Sequence, residues 1–151
     1  MTQEKRKFED WLDYARKAKR VALLAHISPD GDTLGSTLAL RLAFLAMGKQ
    51  VDVICDGDVP DNLKFLTGSE SILHPENVNG SDYDTAIAVD VSDRSLLGKS
   101  ETVFDAAGIR MVIDHHATNP AYGQVNFIRG GESACCLLAY EAICGLGVEI
   151  T

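Results

Sequence analysis

Three short apolar segments of this chain each run into acidic or histidine side chains. The segments are 21–25, 85–89 and 111–113, and each is short and apolar enough to be a buried strand of a parallel sheet. Ligands bind outside the carboxyl ends of the strands in such sheets, so the residues that follow are predicted to meet at one rim. They are His26, Asp30 and Asp32 after the first segment, Asp90 after the second, and Asp114, His115 and His116 after the third.

Helical periodicity fills most of the intervals between these strands. Helices are predicted from about 3 to 19, from 34 to about 48, and from about 133 to 144. The last is apolar on nearly every side, which predicts that it is buried inside a larger assembly. Further strands are predicted at 51–55 and 123–128, with a short helical turn at 63–66. This alternation predicts an α/β fold, a parallel sheet flanked by helices and connected by right-handed crossovers.

Length, composition and charge exclude some classes of binding partner, such as membranes and long duplex nucleic acids. A chain of 151 residues suits one domain, and no apolar run approaches the ~18 residues of a membrane span. The charged N-terminus lacks the apolar core of a signal peptide, so a cytoplasmic location without membrane partners is expected. A net charge of −8 argues against binding along long duplex nucleic acid. It does not exclude short nucleotide substrates that are bound through metal ions. The cysteines are predicted to be reduced and mostly buried: Cys55, Cys135, Cys136 and Cys144.

The predicted rim needs a cation. Carboxylates that are brought together repel one another and lose hydration, and a divalent metal is the simplest way to neutralise them. Oxygen and imidazole ligands without thiolate suit manganese, magnesium or iron better than a structural zinc. Two such ions side by side would polarise a phosphate and activate a water for attack on phosphorus.

Each residue of the group also has an ordinary structural interpretation. Asp30 and Asp32 fit a turn or a helix cap, and His26 alone fits a capping or core histidine. A haloacid-dehalogenase-type phosphatase also has a strand followed by Asp-x-Asp-x-Thr, a string that residues 30–33, Asp-Gly-Asp-Thr, resemble. The nucleophile of such a phosphatase directly follows the strand, whereas residues 26–29 intervene here. A non-catalytic nucleotide-binding or interaction module is a further alternative. The convergence of three strand ends favours the two-metal site.

At these residues the chain resembles the DHH phosphoesterase family. Residues 26–36 are similar to the first family motif, 89–93 to the second, and 114–119, Asp-His-His-Ala-Thr-Asn, to the third, which names the family. The resemblance spans roughly residues 20 to 145. Within the family, residues 59–68 look most like the nanoRNase group, which shortens very small RNAs and dephosphorylates 3′-phosphoadenosine 5′-phosphate.

The resemblance implies a manganese-dependent phosphoesterase with two Mn²⁺ ions, or Mg²⁺ or another divalent ion in their place. The substrates that it implies are short oligoribonucleotides, 3′-phosphoadenosine 5′-phosphate, or both. It also implies the metal ligands. His26 and Asp30 would hold one ion, Asp32 and His115 would hold the other, and Asp90 would bridge both.

The resemblance implies further roles around the metal ligands. His116 would contact the scissile phosphate, and Asp114 would orient His115 or His116. Ser36 and Asn119 would lie near the substrate or behind the metal ligands.

The family pattern also continues beyond these motifs. It includes one more metal-ligand aspartate and a C-terminal substrate-binding domain, and neither falls within residues 1–151. The expectation is therefore a single catalytic domain, 1–151, truncated before both, with one incomplete metal site and a weak grip on substrate. Such a domain would form a homo-oligomer or pack against the missing domain. Cyclic-dinucleotide phosphodiesterases and pyrophosphatases share this catalytic domain and are the alternatives within the family.

Overall fold

A five-stranded sheet in which every neighbouring pair is parallel forms the centre of the molecule. The computed structural model describes residues 1–151, and the strands lie in the order β2-β1-β3-β4-β5. The α/β fold with a parallel sheet is thereby confirmed, and the three segments that precede the acidic and histidine clusters are the three inner strands β1, β3 and β4. The strands are β1 Arg20–Leu24, β2 Gln50–Ile54, β3 Thr85–Val89, β4 Ile109–Asp114 and β5 Val125–Ile128.

Helices cover both faces of the sheet. Side chains alternate between faces along a strand, so Val21 and Leu23 of β1 join a large core, while Ala22 and Leu24 face a smaller one. The large core is completed by α1, α2 and α4, and the smaller one by the chain from 94 to 107. The helices are α1 Gln3–Lys17, α2 Gly31–Ala46, α3 Glu101–Ala106 and α4 Cys135–Gly145.

The predicted elements differ from the observed ones mainly where tertiary contacts decide the outcome. The predicted helices and strands are all present, with ends displaced by a few residues, and β4 extends from the predicted 111–113 to Ile109–Asp114. The segment from Arg94 to Ala106, a run of 3₁₀ turns followed by α3, was not predicted. A helix of six residues is too short to show an apolar period, and its packing under the sheet supplies the stability that its sequence does not indicate.

Helix α4 is only half covered. Leu138, Ala139 and Ala142 are buried against the large core, but Leu137 is 46% and Tyr140 60% exposed.

The interpretation of all four cysteines as mostly buried is wrong for two of them. All four are free thiols, Cys55 and Cys135 are buried, and Cys136 and Cys144 are exposed because they lie on the outer side of α4.

The structure contains no helix that combines the length and the apolar character needed to cross a membrane.

Candidate metal centre

The carboxyl ends of β1, β3 and β4 open into one cleft. The register of the inner strands pairs Leu24 with Ala88 and Ala88 with Val112, so the three strands end at nearly the same level. The loops that follow them surround a cleft of about 510 Å³. Six of the seven predicted rim residues line it, namely His26, Asp30, Asp32, Asp90, His115 and His116, whereas Asp114 is fully buried beneath them.

Asp90 lies at the centre of this group. Its ligand atoms fall within 4.8 Å of those of His115 and His116 on one side, and within the same distance of those of His26 and Asp30 on the other. The Oδ1 atom lies 3.3 Å from Nε2 of His115. One carboxylate therefore belongs to two separate sets of candidate ligands.

The two oxygens of Asp90 have different surroundings. Oδ2 accepts a hydrogen bond of 2.6 Å from the hydroxyl of Thr33, which is itself buried. Oδ1 is buried and accepts no hydrogen bond, because Nε2 of His115, although only 3.3 Å away, is not in hydrogen-bonding geometry. Such buried atoms are nearly always satisfied in folded proteins. An unsatisfied buried carboxylate oxygen beside imidazole nitrogens is the arrangement that a cation would complete.

Electrostatics at Asp90 disfavour its ionised form. Burial raises the pKa of Asp90 above its ordinary value, and the negative charges of Asp32 and Asp30 raise it further against the opposing effects of Thr33 and His115. The backbone adds a second cost, because Asp90 has φ of +60° although it is not a glycine. Backbone strain of this kind costs about 1–3 kcal/mol and concentrates at functional positions.

Asp30 and Asp32 have structural roles as well as places in the cleft. Asp30 caps helix α2, because its Oδ1 accepts a 2.9 Å hydrogen bond from the backbone N–H of Thr33. Burial acts to raise the pKa of Asp30, but the hydrogen bonds from Thr33 and the charge of His26 outweigh it and lower the pKa. The ordinary interpretation of Asp30 as a helix cap is therefore correct and compatible with a ligand role, since a carboxylate has lone pairs to spare.

Asp32 is held by the start of α4. Its Oδ2 accepts a hydrogen bond of 2.8 Å from the backbone N–H of Cys135, and its Oδ1 one of 2.9 Å from that of Cys136. The positive end of a helix stabilises a carboxylate in this position. The contact fixes Asp32 at 3.5 Å from Nε2 of His115, the residue with which it was predicted to share an ion.

The paired histidines are oriented by different partners. Nδ1 of His115 lies 2.9 Å from the backbone carbonyl oxygen of Glu132, which leaves Nε2 directed at Asp90 and Asp32. Nδ1 of His116 lies 2.7 Å from Oδ1 of Asp114. Asp114 was predicted to orient either histidine, and in the structure it contacts His116. Hydrogen bonds to the far ring nitrogen are the usual way of fixing a histidine for metal or phosphate contact.

His116 is biased toward its charged form. Burial acts to lower the pKa of His116, but its hydrogen bond to Asp114 and the charges of Asp114, Asp90 and Asp32 outweigh burial and raise the pKa. The side chain is 42% exposed, so the ring stands at the open side of the cleft.

Several residues of the site were missed or are placed differently from the prediction. The predicted approach of Ser36 to phosphate finds no support in the contacts of this side chain, because Ser36 is buried and its hydroxyl lies 3.5 Å from Oδ1 of Asp32. Thr33 lies within the first motif, and this position is a usable signal for a role that the sequence prediction does not assign to it. The carbonyl oxygen of Glu132 is a backbone atom, and no side-chain pattern indicates its use.

Comparison with known proteins identifies the family. The family model for the DHH family, N-terminal domain, matches residues 20–150. The chain belongs to the DHH family, as the three motifs implied, and it corresponds to the N-terminal domain of that family.

Individual relatives agree with this assignment. The chain is 30% identical over 131 residues to the bifunctional oligoribonuclease and PAP phosphatase NrnA of Thermus thermophilus, covering 87% of this chain and 38% of that protein. It superposes with a TM-score of 0.87 on the crystal structure of an exopolyphosphatase-related protein from Bacteroides fragilis, at 24% identity, covering 97% of this chain and 46% of that one. The chain thus spans less than half the length of both relatives.

Proposed function

We propose that this domain is the metal-binding part of a phosphoesterase that hydrolyses short oligoribonucleotides, 3′-phosphoadenosine 5′-phosphate, or both. The observation that supports it most is the position of Asp90, a buried carboxylate that belongs to two sets of candidate ligands and has one oxygen without a partner. The substrate class follows the activities for which the Thermus thermophilus relative is named.

The residues of the cleft fit a pair of divalent cations. His26, Asp30 and Asp90 would hold one ion, and Asp32, Asp90 and His115 the other, so that Asp90 bridges both. The donors are carboxylate oxygens and imidazole nitrogens without a thiolate, a set that suits Mn²⁺ and also Mg²⁺. When bound, such a pair supplies charge neutralisation at the phosphate and lowers the pKa of an attacking water.

The protein groups would contribute orientation and charge. Thr33 and the start of α4 hold Asp90 and Asp32 in place before any substrate arrives, which removes a cost of reorganisation during the reaction. His116 is oriented by Asp114, and its raised pKa favours the protonated ring. In that form it would donate from its free ring nitrogen to a phosphate oxygen at the open side of the cleft. This assigns phosphate contact rather than metal binding to His116, although it lies with Asp90 and His115 in one of the ligand sets.

The test is a substrate panel with and without manganese. The whole polypeptide that contains this domain would be assayed with a ribodinucleotide, 3′-phosphoadenosine 5′-phosphate, a cyclic dinucleotide and pyrophosphate. The proposal expects manganese-dependent release of nucleotide or phosphate from the first two, and no turnover by Asp90→Ala. Asp13→Ala, which removes an exposed carboxylate of α1, is the matched control and should leave the rates unchanged.

Other outcomes would select the alternatives. Preferential turnover of the cyclic dinucleotide or of pyrophosphate would replace the substrate class and keep the site. A folded sample that binds no manganese in calorimetry would support a non-catalytic nucleotide-binding or interaction module. Trapping of a phosphoaspartate analogue on Asp30 would favour the haloacid-dehalogenase mechanism.

A further inference from the structure

Two side chains outside the proposed ligand set converge on one backbone carbonyl next to Asp90. The carbonyl oxygen of Val91 accepts a hydrogen bond of 3.1 Å from Nδ2 of Asn119 and one of 2.8 Å from the hydroxyl of Tyr122. Val91 is fully buried, so water does not compete for this oxygen. We call this arrangement of Val91, Asn119 and Tyr122 the carbonyl clamp.

The clamp acts on the chain directly after a strained residue. Asp90 has φ of +60°, and its own backbone N–H donates a 3.0 Å hydrogen bond to the carbonyl oxygen of Ile113 in β4. The chain before the carboxylate is thus fixed by β4, and the chain after it is fixed by the clamp. Aspartate adopts this conformation more readily than most non-glycine residues, but the conformation is uncommon and the surroundings stabilise it here.

Asn119 also connects the clamp to the neighbouring strand end. The same Nδ2 atom donates to Oδ2 of Asp114 at 2.8 Å, and Oδ1 of Asn119 accepts from the backbone N–H of Ala121 at 2.9 Å. Since Asp114 holds His116, one amide joins the loop after β3 to the loop after β4. Both N–H donors of this amide are used inside the protein, so it has no donor left for a substrate.

Tyr122 is suited to act as a permanent donor. Its ring packs edge-on against Phe104 at a centroid distance of 5.7 Å. Burial, with the nearby charges of Asp114 and Asp93, raises the pKa of the Tyr122 phenol well above its ordinary value, so the hydroxyl keeps its proton.

We propose that Asn119 and Tyr122 are positioning residues that hold the backbone at Asp90 in the conformation in which its carboxylate can serve both ligand sets. This inference rests on the proposed metal site. It assigns Asn119 to the support of Asp90 and Asp114, and it adds Tyr122, which no sequence pattern indicated.

The experiment measures manganese affinity directly, with the metal alone as the probe. Tyr122→Phe removes one hydroxyl and keeps the ring against Phe104, and Asn119→Ala removes the amide. Calorimetric titration with MnCl₂ should show affinity lowered about tenfold for Tyr122→Phe and by more for Asn119→Ala, the range found when groups behind metal ligands are removed. Tyr122→Phe alone suffices for the test should Asn119→Ala fail to fold.

A matched control separates positioning from general stability. Tyr83→Phe also removes a phenol hydroxyl, one that donates a 2.9 Å hydrogen bond to Asp52 outside the cleft. Tyr83→Phe should lower the melting temperature and leave manganese affinity unchanged, whereas Tyr122→Phe should change the affinity at a temperature where circular dichroism shows both variants folded.

The failures of the two proposals are distinguishable. Wild-type chain that binds no manganese would overturn the metal site and this inference with it. Wild-type chain that binds manganese, together with a folded Tyr122→Phe variant of equal affinity, would overturn the clamp and leave the metal site standing.

Discussion

Strand β3 has an aspartate beside each of its ends, and the two carboxylates differ in how fully their hydrogen bonds are satisfied. Asp84, just before the strand, accepts hydrogen bonds from the backbone N–H groups of Lys19 and Arg20 and from the hydroxyl of Thr85. Asp90, just after the strand, accepts one hydrogen bond and has a buried oxygen without a partner. Asp84 needs nothing beyond the protein to be satisfied, whereas Asp90 does.

The difference explains why only one end of the sheet is expected to be a site. At the amino end, backbone N–H groups that no strand partner uses satisfy the carboxylate. At the carboxyl end, the loops bring carboxylates and imidazoles against one another, and burial together with neighbouring charge raises the pKa of Asp90. Residues that the fold alone does not satisfy are the better candidates for ligand binding.

Replacing each aspartate by asparagine should give the largest contrast. Asp90→Asn keeps the shape but removes the bridging charge, and we expect manganese-dependent hydrolysis to fall at least about a thousandfold, since metal stabilisation of transition-state charge is worth several kcal/mol. Asp84→Asn should change the rate by less than about threefold, within the ordinary effect of a remote surface substitution. Steady-state assays of the whole polypeptide on a ribodinucleotide measure both. Equal losses in the two variants would remove the distinction between the two ends.

The role of His116 should separate turnover from metal binding. If His116 contacts phosphate, His116→Ala should lower kcat by about 10²–10³, as removal of one preorganised donor does, with little change in manganese affinity. Paired kinetic and calorimetric measurements on the same preparation check this. A loss of manganese affinity as large as the loss of kcat would make His116 a metal ligand, as its place beside Asp90 and His115 also allows.

Stability should respond to the two substitutions in opposite directions, and this is the smallest of the expected effects. Without metal, Asp90→Asn removes a charge disfavoured by burial and should raise the free energy of unfolding by about 1 kcal/mol, whereas Asp84→Asn should lower it by about 1 kcal/mol through weakened hydrogen bonds. Urea denaturation in the presence of a chelator measures both. Destabilisation of similar size in both variants would contradict the account.

The difference in unfolding free energy between wild type and Asp90→Asn should depend on pH, and the raised pKa of Asp90 fixes the direction. Because the pKa of Asp90 is raised in the folded state, the unfolded chain releases this proton first as pH rises. The contribution of Asp90 to stability is therefore most favourable below the pKa of an unfolded aspartate and falls as pH rises toward the folded pKa. The stability of wild type minus that of Asp90→Asn should decrease across this interval, and excess manganese should reverse the decrease at neutral pH. A difference independent of pH would mean that the pKa is not raised.

The sequence was sufficient to predict the inner part of the molecule. Segments 85–89 and 21–25 are apolar because both faces of an inner parallel strand are covered, so their strand character and the polar residues at their ends could be predicted together. Helix α1 was predictable for the same kind of reason, since Trp11 and Ala15 recur on its buried side.

What could not be predicted depends on contacts between distant segments. The positive φ of Asp90 could not be predicted from the sequence, because aspartate, although enriched in this conformation, adopts it at only a small fraction of its positions. The carbonyls of Val91 and Glu132 are used through their backbone atoms. The partner of the exposed side of α4 could not be predicted either. An apolar helix sequence indicates that its surface is to be covered, but it does not indicate which segment or partner covers it.

Anomalous diffraction from manganese-soaked crystals is the most direct test of the central claim, that Asp90 is shared by two ions. The account predicts two anomalous peaks about 4 Å apart on either side of the Asp90 carboxylate, one beside His26 and the other beside His115. A map with no peak in the cleft, or with a single ion that does not touch Asp90, would contradict it.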